Sequence, residues 1–142
     1  MESNVAVQLA DGFEEIEAVA VIDVLRRAGI NTVTVSITRN YEVTGAHGIQ
    51  ISADKLFDEV DFEAMDMIVL PGGMPGAKNL KNHSGLRDQL LKFFNSGKLL
   101  GAICAAPMVF GSLGILKNKP ATCFPGFENQ LTGAHVTGAE VE

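Results

Sequence analysis

Cysteine is scarce in this chain: only Cys104 and Cys123 occur among its 142 residues. Two thiols without a paired spacing argue against a disulfide framework and against a zinc knuckle. Basic residues are also few. Eleven Lys and Arg stand against 17 Asp and Glu, for a net charge of -6. Nucleic acid and anionic membrane surfaces both need basic patches, so neither is an expected partner. No stretch reaches the roughly 20 apolar residues that span a bilayer. Met1, Glu2, Ser3 and Asn4 carry no positive leader ahead of the first apolar run, so the expected location is the cytoplasm, where thiols stay reduced. Linkers, low-complexity tracts and repeats are missing. So is a glycine-rich phosphate loop. His47, His83 and His135 show no metal-ligand spacing, and each reads as a surface or turn residue, with the pocket as the alternative for one of them. No metal is expected.

What is present suits one globular domain over residues 1–142. The chain is 46% hydrophobic and 20% charged, enough to bury a core. Val5 to Leu9 reads as a buried strand. From Glu14 to Ala28 apolar residues recur at helical spacing, with Arg26, Arg27 and Gly29 as a stop signal. Thr32 to Ile37 is β-branched and extends the pattern to a β-α-β unit, hence parallel strands. Glu42 to Thr44 and Ile49 to Ser52 suggest a small hairpin. Met67 to Leu70 is a further strand, and Ser84 is a candidate cap for a helix from Gly85 to Asn95. Leu99 to Ile103 is the next strand, followed by a helical run from Ala105 to about Leu113. Short strands are expected at Ala121 to Cys123 and His135 to Thr137. The whole is an α/β protein with a doubly wound, mainly parallel sheet and helices on both faces. Ligands in such sheets bind at the carboxyl ends of the strands. That rule brings together the loops from Asp11 to Glu17, from Pro71 to Gly76 and from Ile103 to Pro107.

The third loop carries the strongest chemical signal. Cys104 follows a buried strand and is flanked by Gly101, Ala102, Ala105 and Ala106. A nucleophile on a strained strand-to-helix turn needs such small neighbours. A helix opening at Ala105 would turn free N–H groups and a positive dipole end toward the sulfur and favour a thiolate. The alternative is a cysteine simply buried at a strand end. Gly72 and Gly73, directly after a strand, suit backbone donors facing a ligand, as in an oxyanion hole shared with Ala105; a tight turn would demand glycine equally. Glu14, Glu15 and Glu17 fit an exposed first helical turn. One of them could instead point inward, stay protonated in an apolar pocket and donate to the sulfur.

These motifs together resemble the ThiJ/PfpI superfamily. They are Val5-Ala6-Val7, then Asp11-Gly12-Phe13-Glu14-Glu15-Ile16-Glu17, then Val69-Leu70-Pro71-Gly72-Gly73, then Ala102-Ile103-Cys104-Ala105-Ala106-Pro107. The branch they are most similar to is that of the Parkinsonism-associated deglycase and its bacterial relatives. The resemblance implies a flavodoxin-like core, a homodimer and no cofactor. It implies Cys104 as nucleophile and redox-sensitive site, Glu17 as the carboxyl bonded to it, and Gly73 and Ala105 as backbone donors, with Gly72 beside them. Glu14, Met74, Pro107 and Phe124 would line the pocket. The implied substrate is a small aldehyde or a glycated side chain, handled by glyoxalase or deglycase chemistry. The alternatives are a redox-sensing stress protein or chaperone, a cysteine peptidase or amidase, and the thiazole-biosynthesis label these sequences often carry, for which no phosphate site is evident. Two departures stand out. Phe124 occupies the place where many relatives carry a histidine, which weakens the hydrolase reading. Relatives also continue for several tens of residues through another hairpin and a closing helix. The expectation is therefore a separate C-terminal fragment of the same protein as partner, and poor stability without it.

Overall fold

A computed structural model describes residues 3–142. Strand β1 (Asn4–Leu9) leads to helix α1 (Glu15–Arg27), strand β2 (Asn31–Ser36), a hairpin of β3 (Glu42–Thr44) and β4 (Gln50–Ser52), and the short strand β5 (Lys55–Leu56). Strand β6 (Met67–Leu70), helices α2 (Gly76–Asn82) and α3 (Ser84–Ser96), strand β7 (Leu99–Ala102) and helix α4 (Pro107–Ser112) follow. The short strands β8 (Pro120–Ala121) and β9 (His135–Val136) come last.

Five strands form the main sheet in the order β5-β2-β1-β6-β7, and every pairing in it is parallel. The chain thus winds outward from β1 in one direction, then returns and winds in the other. The reversal lies between β1 and β6, which puts the crevice for a ligand at their carboxyl ends. Strand alternation builds the two faces of the core. Val5, Val7 and Leu9 pack with Ala18 and Ile22 of α1 and Val43 of the hairpin. Ala6 and Ala10 face the other way, with Leu80, Leu86, Leu90 and Val109 of α2, α3 and α4. At the sheet's outer edge β7 leaves Leu99 and Ile103 exposed.

Several expectations shift. Strand β7 ends at Ala102, and α4 begins at Pro107 rather than Ala105, because residues 104–106 form the turn between them. The strand expected over Ala121 to Cys123 is Pro120–Ala121. Helix α2 was not foreseen: two Asn and an opening Gly weaken its helical signal, and it forms by burying Ala77 and Leu80. Ser84 does not cap α3. His83 does, its Nδ1 accepting the Leu86 N–H at 2.9 Å, while Gly97 closes the helix at φ 74°.

The His83 ring also packs edge-on against Phe57, with centroids 4.6 Å apart. Burial pushes its pKa below the ordinary value, against the nearby Asp58 charge. The cap requires the neutral ring, so the fold holds His83 deprotonated more strongly than the unfolded chain does. Its contribution is therefore full above a pH of about 6.5 and is lost as pH falls below that value. Replacing His83 by Ala is expected to cost about 1 kcal/mol at pH 7.5 in urea denaturation. That cost should shrink at pH 5, while the stability difference between His83→Asn, a cap without titration, and His83→Ala stays constant.

Candidate active site around Cys104

Three loops meet at the carboxyl ends of β1, β6 and β7. Cys104 sits on the third, with φ of 63°. That left-handed backbone is uncommon for a residue with a Cβ and costs on the order of 1–3 kcal/mol. It is tied down on both sides. Ile103 N–H donates to Leu70 O at 3.2 Å, Ala106 N–H to Ile103 O at 3.0 Å, and Phe124 N–H to Cys104 O at 2.8 Å. Ala105 and Ala106 beneath it are fully buried. A strained turn with small neighbours matches the sequence expectation for a nucleophile elbow.

Glu17 reaches the same point from the first turn of α1. Its Oε2 accepts the Gly72 N–H at 2.9 Å, and its carboxyl lies beside the Cys104 side chain, close enough to raise the thiol pKa. This corrects the role expected of Gly72: its donor is committed to Glu17 and does not serve a substrate oxygen. The need for glycine there is steric. A Cβ on Gly72 would lie 2.6 Å from Glu17 Oε2, 2.7 Å from Cys104 Cβ and 2.9 Å from Ile103 O. Gly73 has φ of 91°, and a Cβ there would meet the Glu14 nitrogen at 2.4 Å. Its N–H and that of Ala105 act to lower the thiol pKa.

Burial pushes the Cys104 thiol above its ordinary range, and the Glu17 carboxyl pushes the same way; the Ala105 and Gly73 N–H groups pull it down without prevailing. The net direction is opposite to the thiolate-favouring site expected from the sequence. Helix α4 starts two residues later than expected and has only six residues, so its dipole is weak at the sulfur.

The remaining expected pocket residues spread out. Met74 and Phe124 are solvent-exposed. Pro107 is buried as the first residue of α4, a position its fixed φ suits. Glu14 caps α1, with Oε1 accepting the Ile16 N–H at 3.4 Å, and its other oxygen turns toward His47. Glu15 was not singled out, yet it is buried and accepts the N–H groups of His47 and Ile49 from the hairpin turn. No sequence signal marks that contact, because its partners lie 32 and 34 residues away. A cavity of about 520 Å³ opens elsewhere, among Asp11, Arg39, Tyr41 and Gln50. The groups that shift the sulfur's pKa are Glu17, Gly73 and Ala105, with no histidine among them.

A parallel doubly wound sheet with a thiol on a strained elbow defines an α/β protein with a cysteine at the carboxyl ends of its central strands. The DJ-1/PfpI family model matches residues 3–142, and the chain belongs to that family. Among curated relatives, it is 44% identical to Protein DJ-1 homolog B of Arabidopsis thaliana over 91% of this chain, which spans 30% of that protein. It is 30% identical to a deglycase of Pyrococcus abyssi, over 98% of this chain and 82% of the relative. The solved structure of oxidized Toxoplasma gondii DJ-1 superposes with a TM-score of 0.85 at 40% identity, covering 90% of this chain and 70% of that one.

Two outcomes test the site. If Glu17 holds its charge beside the thiol, Glu17→Gln will lower the pH midpoint of Cys104 alkylation by iodoacetamide; an unchanged midpoint would place the shared proton on the carboxyl instead. Gly72→Ala is expected to destabilise by about 1–3 kcal/mol in urea denaturation, because neither the Cys104 Cβ nor the Ile103 carbonyl can retreat.

Proposed function

We propose that this chain belongs to a cysteine-dependent enzyme of glyoxalase or deglycase type, acting on small dicarbonyls or on the adducts they form with amines. One observation carries the reading: a half-buried thiol on a strained turn and a carboxyl that no Lys or Arg among the described residues pairs with crowd the same face of Gly72. Such a pair can move one proton repeatedly without a histidine. In the proposed cycle Cys104 passes its proton to Glu17, and the sulfur attacks the aldehyde carbon. Glu17 returns the proton to the aldehyde oxygen, giving a hemithioacetal. It next removes the hydrogen from the thiol-bearing carbon and delivers a proton to the neighbouring carbon, which leaves a hydroxy thioester. Water cleaves the thioester, releasing a 2-hydroxy acid and the free thiol. For a glycated side chain the sulfur displaces the amine from the carbinol carbon, with the Cys104 proton passing through Glu17 to the departing nitrogen. The resulting hemithioacetal follows the same steps to the hydroxy acid. The Gly73 and Ala105 N–H groups, which act to lower the thiol pKa, are placed to hold the oxygen that gains charge beside the sulfur. The name of the Pyrococcus relative favours this assignment.

A second reading has its own support. The Toxoplasma neighbour was solved oxidized, and here the same donors and Glu17 would hold a sulfinic form of Cys104. A hydrolase finds less support, since Phe124 supplies no base. Residues Ile16, Val19 and Val24 remain exposed along α1, which favours a homodimer burying that face. No helix among the described residues is long and apolar enough to cross a membrane.

Methylglyoxal loss and hydroxy-acid formation, followed together, separate the two readings. The enzyme reading expects catalytic acid formation that vanishes in Cys104→Ser and falls by about a hundredfold or more in Glu17→Gln. Stoichiometric methylglyoxal loss without acid would put the redox role first.

A further inference from the structure

The turn between β3 and β4 closes over the start of α1 and gathers a second set of reactive groups. His47 Nδ1 lies 3.1 Å from Glu15 Oε1 and 3.9 Å from Glu14 Oε2. The three donor atoms all fall within 4.8 Å of one another. One of them is in an unfavourable state. Glu14 Oε2 is buried and has no hydrogen-bond partner, because the one nearby ring nitrogen is already engaged with Glu15. A bare, buried carboxylate oxygen costs free energy until something positive or hydrogen-bonding meets it.

The surroundings suit a cation. Glu14, Glu15 and Glu17 bring three carboxylates into one helical turn. Among the described residues no Lys or Arg pairs with any of them; the ion-pair partner of Glu14 and Glu15 is His47. The positive end of α1 offsets only about half a charge. The group is also rigid. The Glu15 carboxyl accepts the His47 N–H at 2.9 Å and the Ile49 N–H at 3.3 Å, with the His47 ring nitrogen 3.1 Å away. Ala46 N–H donates to Phe13 O at 2.8 Å, pinning the turn to the loop before α1. Gly45 packs so tightly that a Cβ would lie 2.4 Å from Glu15 Cδ. The donor set and spacing fit a small divalent ion. Zinc with bonds of about 2.0–2.2 Å to nitrogen and oxygen has tetrahedral ligand edges of roughly 3.3–3.5 Å, between the two separations seen here. His47 is 72% exposed, so the outer side is open for an ion to enter and for water to complete its coordination.

We propose that Glu14, Glu15 and His47 form a binding site for one divalent transition-metal ion of the zinc class, held by two carboxylate oxygens and one imidazole nitrogen. The site is separate from the thiol and stands whether or not Cys104 turns over dicarbonyls. It departs from the sequence expectation of no metal, since the histidine comes from a turn 32 residues away from Glu15.

Zinc competition against a chromophoric chelator tests the proposal, performed on a Cys104→Ser chain so that the reactive thiol does not contribute. The expected result is one zinc per chain, with affinity reduced about tenfold or more by His47→Ala and by Glu14→Gln. Zinc should also raise the melting temperature of Cys104→Ser but not of Cys104→Ser with His47→Ala, at matched circular dichroism. Failure to bind zinc, or binding unchanged by His47→Ala, overturns it. Binding that appears only when Cys104 is present overturns it too, by assigning the metal to the thiol.

Discussion

Close approach at Gly72 is the constraint on which the site depends. There the β6 loop passes so near to Cys104 and Glu17 that no side chain fits. The missing Cβ lets the Gly72 N–H anchor Glu17 while the Cys104 side chain closes on the same face of that backbone. The adjoining loops are stitched at comparable range: Glu14 N–H donates to Gly72 O at 2.9 Å, and Gly76 N–H to Gly12 O at 3.1 Å. Each contact requires the β1 and β6 carboxyl ends to lie side by side, as parallel pairing places them. The strain at Cys104 is held by bonds of its own turn, to Leu70 and from Phe124, together with this lattice between the adjoining loops.

Much of that scaffold was legible. The run Met67 to Leu70 is continuous and apolar, and Val5 to Leu9 is apolar apart from Gln8, because parallel strands are covered on both faces, and the intervening α1 announced itself by helical spacing and a Gly stop. Glycines after β6 and small residues around Cys104 located the crevice. What escaped reading depends on tertiary contact. Helix α2 has weak propensity and owes its existence to buried Ala77 and Leu80. The cap of α3 was misplaced by one residue because serine is the commoner cap, whereas His83 is favoured here by its packing on Phe57. The commitment of the Gly72 donor could not be seen, since it rests on the direction of a side chain 55 residues away.

The thiol shows why composition of a motif does not decide its charge state. Small residues and a following helix suggest a thiolate, and two N–H groups do act in that direction. Against them stand partial desolvation and a neighbouring carboxyl, both of which disfavour a second negative charge. A short helix whose first residue lies three positions beyond the sulfur contributes little. A cysteine held as a thiol beside a proton acceptor differs functionally from a free thiolate. Thiolate character, not the mere presence of sulfur, governs nucleophilicity, so the groups around Cys104 matter as much as its place on the turn.

The acidic turn at the start of α1 extends the same lesson. Three glutamates in a first turn look interchangeable, each favoured by the helix dipole. Helical geometry separates them, because successive residues rotate by about 100°. Glu17 faces Gly72 and the thiol, Glu15 faces the hairpin turn, and Glu14 lies between the cap position and His47. Each therefore acquires its role from a different distant segment. A charge reading of the turn is right in sum and silent on the division. The carboxylate left with a buried, unpartnered oxygen is the one whose environment is incomplete in the isolated chain, and incompleteness of that kind is what a bound cation would remove.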